Sequence, residues 1–168
     1  MLVIAADATK SAQKHIYYQG ETAAEIARQC LEKHGIAGII AYTVRAVPVA
    51  DRLTEPTALS NIIERLEASR GLPEPARAVR EAVLLIQEII GPVRAESLIV
   101  LFWSMPKRPR IPLNIVVPLA KSANARLVIV GLQFSQPRWM RRYEVENLPS
   151  IVYKRNLKPR DLARKIEC

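Results

Sequence analysis

The sequence predicts an α/β fold: a mostly parallel sheet of about six strands with helices on both faces, three layers in all. Three observations carry this. Short runs of β-branched and aliphatic residues alternate along the chain with amphipathic stretches. Some runs, Ser97 to Phe102 foremost, are apolar without interruption, as strands covered on both faces are. The 168 residues suffice for one core, and no repeat, low-complexity tract or long linker divides them, so a single domain over 1–168 is expected.

The elements follow in order. Leu2 to Ala6 reads as a buried strand, Ala8 to Gly20 as a loop, and Glu21 to His34 as a helix. The helix rests on Ala23, Ile26, Ala27, Cys30 and Leu31 at helical spacing, with Gly35 as its C-cap. Ile36 to Val44 is a second buried strand, and Val47 to Ala50 a short edge strand held off by Pro48. Thr57 opens a helix over Ala58 to Ala68, with Leu59, Ile62, Ile63 and Leu66 on one stripe. The turn Ser69 to Pro73 precedes a third helix, Glu74 to Ile90, stopped by Gly91-Pro92. After the strand Ser97 to Phe102, a proline- and base-rich loop from Met105 to Pro112 leads to a helix over Leu113 to Ala123, which Pro118 should kink or shorten. Arg126 to Leu132 is a strand, Gln133 to Pro149 irregular or a short helix, Ile151 to Tyr153 a last strand, and Pro159 to Ile166 a closing helix.

Composition narrows the function classes. The longest apolar runs are too short to cross a bilayer. The opening Met1 to Asp7 lacks a basic segment and reaches an acid at once, which argues against a signal peptide and for a cytoplasmic location. Cys30 falls on the apolar helix face as a free buried thiol and Cys168 at a frayed end, so neither a disulfide nor a metal cluster is expected. The net charge of +9 is lopsided: residues 1–99 carry 11 bases against 12 acids, residues 100–168 carry 14 against 4. A basic half attracts nucleic acid, an acidic protein surface or anionic lipid.

In an open α/β sheet, ligands bind beyond the carboxyl ends of the strands where strand order reverses. The loop after the first strand, Asp7-Ala8-Thr9-Lys10-Ser11, contains no glycine and so excludes a phosphate loop or a dinucleotide fingerprint. Its one carboxylate and two hydroxyls, on alternate positions, suit a hard cation such as Mg²⁺; an Asx-turn explains the same residues without one.

Asp7-x-Thr9-x-Ser11 resembles the Asp-x-Ser-x-Ser motif of the von Willebrand factor A (VWA) family, the metal-ion-dependent adhesion site, with Thr for one Ser. The resemblance continues in order through Ile39 to Tyr42, Leu53-Thr54 and the helix to Ala68, Ser69 to Leu72 leading into Ala76 to Val79, Leu98 to Trp103, and Leu127 to Leu132. It covers nearly the whole chain and implies a Rossmann-like sheet and a non-catalytic, partner-binding role. The departures bear on the metal. The family's second metal-contacting Thr falls near Leu72, and the Asp of its Thr-Asp-Gly near Trp103 or Ser104, so two oxygen ligands are missing. Thr54 or Thr57 is the substitute the sequence offers. The resemblance therefore implies Mg²⁺ held by Asp7, Thr9 and Ser11 weakly or not at all, beside an unhelpful Lys10.

Enzyme chemistry finds little support. A phosphatase of the haloacid-dehalogenase type needs an acid where Thr9 stands. A PIN-type nuclease needs converging acids; Asp51, Glu64 and Glu67 exist, but the latter two sit at i, i+3 on an amphipathic helix and read as solvated surface charges. No nucleophile-elbow glycines accompany a serine near His15 or His34. The expected function is an interaction module that recruits a protein partner in a multiprotein complex through the loops at Asp7 to Ser11, Gly71 to Pro73 and Trp103 to Pro112. Trp103, Lys107, Arg108 and Arg110 are its contact residues. The alternative is nucleic-acid binding by the basic half, through Arg138, Trp139, Arg141, Arg142, Lys154 and Arg155, where bases and aromatics interleave.

Overall fold

The computed structural model describes residues 1–91, 95–140 and 149–168. Six strands form one sheet in the order β3-β2-β1-β4-β5-β6. They are β1 (Leu2–Asp7), β2 (Ala37–Tyr42), β3 (Ala46–Leu53), β4 (Ser97–Trp103), β5 (Ala125–Gly131) and β6 (Ser150–Tyr153). All pairings are parallel except β2 with β3, so the expected mostly parallel sheet is present. Among the described residues five helices cover it: α1 (Ile16–His34), α2 (Pro56–Glu64), α3 (Pro75–Ile90), α4 (Val116–Ser122) and α5 (Pro159–Ala163). No helix among the described residues is long and apolar enough to span a membrane.

The strand alternation divides the core into two halves. Val3, Ala5, Ile99, Leu101 and Trp103 face α3 and α4. Leu2, Ile4, Leu98, Val100 and Phe102 face α1, α2 and α5. Both faces of β1 and β4 are therefore dry, which is why their sequences read as unbroken apolar runs. β2 and β3 leave β1 on one side and β4 to β6 on the other, so strand order reverses between β1 and β4. The crevice beyond the ends of those two strands is the switch point.

Several boundaries differ from expectation, each for a local reason. Helix α1 starts five residues early, because a 3₁₀ turn over Lys10–His15 winds straight into it. Gly20 lies inside this helix, not before it; a Cβ there would sit 2.9 Å from the Glu64 side chain and 3.2 Å from the Ser60 carbonyl. It is the contact that lets α1 and α2 approach. Strand β3 runs to Leu53, longer than expected, since Pro48 lies on the sheet's outer strand where no second neighbour needs its missing N–H. Pro118 falls in the first turn of α4, where N–H groups have no intrahelical acceptor, and the segment before it is 3₁₀. Helix α3 takes Gly91 as its C-cap at φ +67°; Pro92 lies outside the described residues, as do residues 141–148 of the stretch read as irregular.

The cysteines require a correction. Cys30 and Cys168 form a disulfide, with Cα atoms 5.1 Å apart across 138 residues of sequence. Leu162, Ala163 and Ile166 pack into the same cluster as Ala27 and Cys30, and Lys33 donates to the Cys168 carbonyl. The tail is thus docked on α1, not frayed, and this docking delivers one thiol to the other. A crosslink closing so long a loop removes much denatured-state entropy, typically about 2–4 kcal/mol. Reduction, or Cys30→Ser, is expected to lower Tm by about 5–15 °C for a domain of this size, read by differential scanning fluorimetry with and without dithiothreitol.

Candidate functional site

At the switch point Asp7 is wholly buried, and its carboxylate ties the two diverging strands. Oδ1 accepts from the Thr9 N–H at 3.0 Å and the Thr9 hydroxyl at 2.6 Å. Oδ2 accepts from the Ser104 N–H at 2.8 Å, just past the end of β4. The Thr9 hydroxyl proton is spent on Asp7, so Ser11, 2.9 Å away, is the donor between those two hydroxyls. Ser11 Oγ in turn lies 3.0 Å from Ser104 Oγ. Asp7, Thr9, Ser11 and Ser104 therefore form one connected cluster. Burial pushes the Asp7 carboxyl above the usual carboxylate range, and the bonds from Thr9 and Ser104 hold it back.

Two buried polar residues, neither singled out in sequence as a site residue, brace the elements around this cluster. Gln19 of α1 takes both main-chain groups of Asp7: its Oε1 accepts from the Asp7 N–H at 2.9 Å and its Nε2 donates to the Asp7 carbonyl at 3.0 Å. A lone amide at helical spacing between Ile16 and Ala23 was the available signal, hidden once the segment was read as loop. Glu74, before α3, accepts from the main-chain N–H groups of Arg110 and Ile111, at 3.2 and 3.4 Å, and so holds the basic loop against the helix. Tyr42 at the end of β2 donates to the Phe102 carbonyl; burial foremost, with the Asp7 charge, raises its phenol well above its usual value.

The loop at Ser69 is part of this crest, since the Lys10 N–H donates to the Ser69 carbonyl and the Ser69 N–H to the Ala8 carbonyl. Thr54 and Thr57 are not. Leu53 pairs with Ala37, at the amino end of β2, so both threonines lie at the opposite end of the sheet from Asp7 and cannot supply a ligand. The acids proposed for a nuclease do not converge either: Asp51 lies on β3 near that far end, while Glu64 packs on α1.

A divalent cation at Asp7, Thr9 and Ser11 would find a poor donor set. The single carboxylate already accepts three hydrogen bonds, Ser104 contributes a hydroxyl at most, and exposed Lys10 adds a like charge nearby. Among the described residues no three of His, Cys, Asp and Glu are grouped to hold a metal. The residues do not fit a tightly held Mg²⁺.

Trp103 also requires a correction. It is 0% exposed, so it cannot touch a partner in this conformation. Its ring packs on Trp139 at 5.6 Å between centroids, tilted by 59°, and its Nε1 has no hydrogen-bond partner among the described residues. Strand alternation turns it inward toward α3 and α4. Lys107, Arg108 and Arg110 are on the surface at the carboxyl edge of the sheet, as expected. Trp139 is half-buried, with its ring against Trp103. Arg138 and Arg155 are exposed, and Arg141 and Arg142 lie outside the described residues. Lys154 is engaged, 3.1 Å from His15 Nδ1 and 4.4 Å above the Tyr18 ring. Burial, then the Lys154 and Lys14 charges, push His15 down to about 4, so it accepts from Lys154 as a neutral ring at pH 7.

No family model and no curated protein matches the sequence. Solved structures match its shape. A von Willebrand factor type A structure from Catenulispora acidiphila superposes with a TM-score of 0.67 at 16% identity, over 98% of this chain and 40% of that one. The SpRpn10 VWA domain superposes at 0.71 and 12% identity, over 98% of this chain and 94% of that one. The fold is that of a VWA domain. Proximal thread matrix protein 1 from the mussel byssus, with a zinc-occupied MIDAS motif, matches at 0.66 and 11% identity, over 89% of this chain and 40% of that one. The chain spans about two fifths of the Catenulispora and byssus proteins.

In this VWA fold the Asp7 cluster serves as a structural tie. Asp7→Ala strands the Thr9 and Ser104 N–H groups and should cost about 2–3 kcal/mol, a Tm loss of about 5–10 °C. Ser104→Ala keeps the main-chain bond to Oδ2 and should lower Tm by less than about 3 °C. Thermal melts of the two variants against wild type read the difference.

Proposed function

We propose that this chain is a non-catalytic VWA-type interaction module that recruits a protein partner in a multiprotein complex, with a metal requirement weak or lost. The observation that supports it is the Asp7–Thr9–Ser11–Ser104 cluster: at the place where this fold carries its adhesion site, a neutral serine stands beside Asp7 and the carboxylate is spent on hydrogen bonds. The crest is then left with a contact surface in which charge is supplied by Lys107, Arg108 and Arg110 on a loop braced by Glu74. A loop held by a buried carboxylate is ordered before binding, which lowers the entropy that association must overcome. A cytoplasmic location sits with the Cys30–Cys168 disulfide only where the cytosol tolerates such bonds, as in hyperthermophiles.

The test combines two measurements. Calorimetric titration with Mg²⁺ and Mn²⁺ should show no saturable binding in wild type or in Asp7→Ala. Affinity capture from the source organism in EDTA and in Mg²⁺ should recover the same protein, lost on changing Lys107, Arg108 and Arg110 together to Ser. Saturable binding abolished by Asp7→Ala would restore the metal-bridged mechanism, and capture indifferent to the triple change would move the interface elsewhere.

A second reading, nucleic-acid binding, is favoured by one feature of the surface. Tyr17 and Phe134 are 68% and 63% exposed, and each borders the stretch that brings Lys154 and Arg155 beside His15. Exposed aromatics among bases can stack and pair with a single strand. On this reading, affinity for a labelled oligonucleotide should fall steeply between about 50 and 200 mM salt and weaken on Phe134→Ala. Shallow salt dependence would dispose of it.

A further inference from the structure

A groove of about 640 Å³ crosses the first turns of α3, on the face away from α1. Apolar side chains line it on both sides: Val47 of the outer strand, and Ile111, Ile115 and Leu119 at four-residue spacing, before the 3₁₀ turn, within it and in α4. Val47 and Ile115 are 55% and 46% exposed, and Leu84, one turn beyond Arg80 on α3, is 47% exposed. Three arginines stand over this floor: Arg45 before β3, and Arg77 and Arg80 on α3. None of the three makes an ion pair among the described residues, although Glu81 lines the same groove.

We propose that this groove docks an acidic amphipathic segment of a partner protein, its aliphatic side chains on Val47, Ile115 and Leu119 and its carboxylates on Arg45, Arg77 and Arg80. Guanidinium forks fit carboxylates in pairs, and exposed aliphatic floors of this size are concave sites for side chains. The lining argues against nucleic acid: none of its residues is aromatic, so bases have nothing to stack on, and Glu81 opposes a phosphate track. The groove meets the crest loop at Ile111, but its arginines are distinct from the Lys107, Arg108 and Arg110 of that loop. It also lies outside the charge asymmetry of the sequence, since all three arginines belong to the near-neutral first 99 residues.

The experiment is fluorescence anisotropy with a fluorescein-labelled helical peptide carrying Leu on one face and Glu on the other. Its controls are a scramble of the same composition that disperses the Leu, and a labelled single-stranded oligonucleotide. Saturable binding of the amphipathic peptide is expected, with the scramble at least about tenfold weaker, because the floor must be engaged as well as the charges. Arg77→Glu with Arg80→Glu should weaken it by at least about tenfold, and Ile115→Ser by about threefold or more. All three positions are exposed, so melts of these variants should match wild type; Arg77→Ala with Arg80→Ala provides a milder pair that removes charge without reversing it. The triple serine variant of the crest loop should bind the peptide as wild type does, which separates this site from the function proposed above. The proposal is overturned if no peptide binds, if the scramble binds equally, if the arginine pairs leave affinity unchanged, if the crest variant abolishes binding, or if the oligonucleotide binds as tightly and is lost with the same arginines.

Discussion

Two parallel strands at the centre of this sheet separate at their carboxyl ends, and a single buried carboxylate spans the opening. The register of β1 with β4 ends at Ala5 and Leu101, and beyond it Asp7 reaches across to the Ser104 main chain. Desolvating a carboxylate is costly, and the cost is tolerable here because both oxygens accept hydrogen bonds and Gln19 satisfies the residue's own main-chain groups. The first loop, the start of α1 and the entry to the basic loop all take their positions from this tie. A similar device, on a smaller scale, operates where Glu74 holds the Arg110 and Ile111 N–H groups against α3.

The same economy is what supports the proposal of a weak or lost metal requirement at the crest. A hard metal needs oxygens whose lone pairs are unspent and whose charges sum toward its own. Here each candidate oxygen is partnered by another, so a metal would have to dismantle the tie before being bound. The recognition surfaces proposed for this chain are built from arginine, lysine and aliphatic side chains: the basic loop at the crest, and the groove flanking α3. These differ in kind. The loop presents charge with little apolar area, whereas the groove combines guanidinium groups with an exposed aliphatic floor.

The C-terminal tail shows how packing brings together what sequence keeps apart. The short α5 contributes Leu162, Ala163 and Ile166 to the cluster under α1, and in doing so closes the chain on itself through Cys30 and Cys168. Domain stability and tail position are coupled by that bond, at the end of the sheet opposite the candidate site.

What the sequence determined alone were the features governed by local periodicity and by burial on both faces. Unbroken apolar runs at Leu2 to Ala6 and Ser97 to Phe102 can only be central strands, the stripe from Ala23 to Leu31 can only be a helix against a sheet, and strand-then-helix alternation leaves a parallel sheet with its switch point past Asp7. The Asp7, Thr9 and Ser11 grouping was legible for the same reason, since alternate positions beyond one strand share a locus. What tertiary structure alone decided were relations between distant segments. The direction of β3 removed Thr54 and Thr57 from the crest, the strand phase of β4 turned Trp103 inward while leaving Ser104 to meet Asp7, and helix docking joined Cys30 to Cys168. Gln19, Glu74 and the three groove arginines escaped notice because their roles rest on partners many residues away, and no spacing along the chain encodes which side chain will stand opposite another in space.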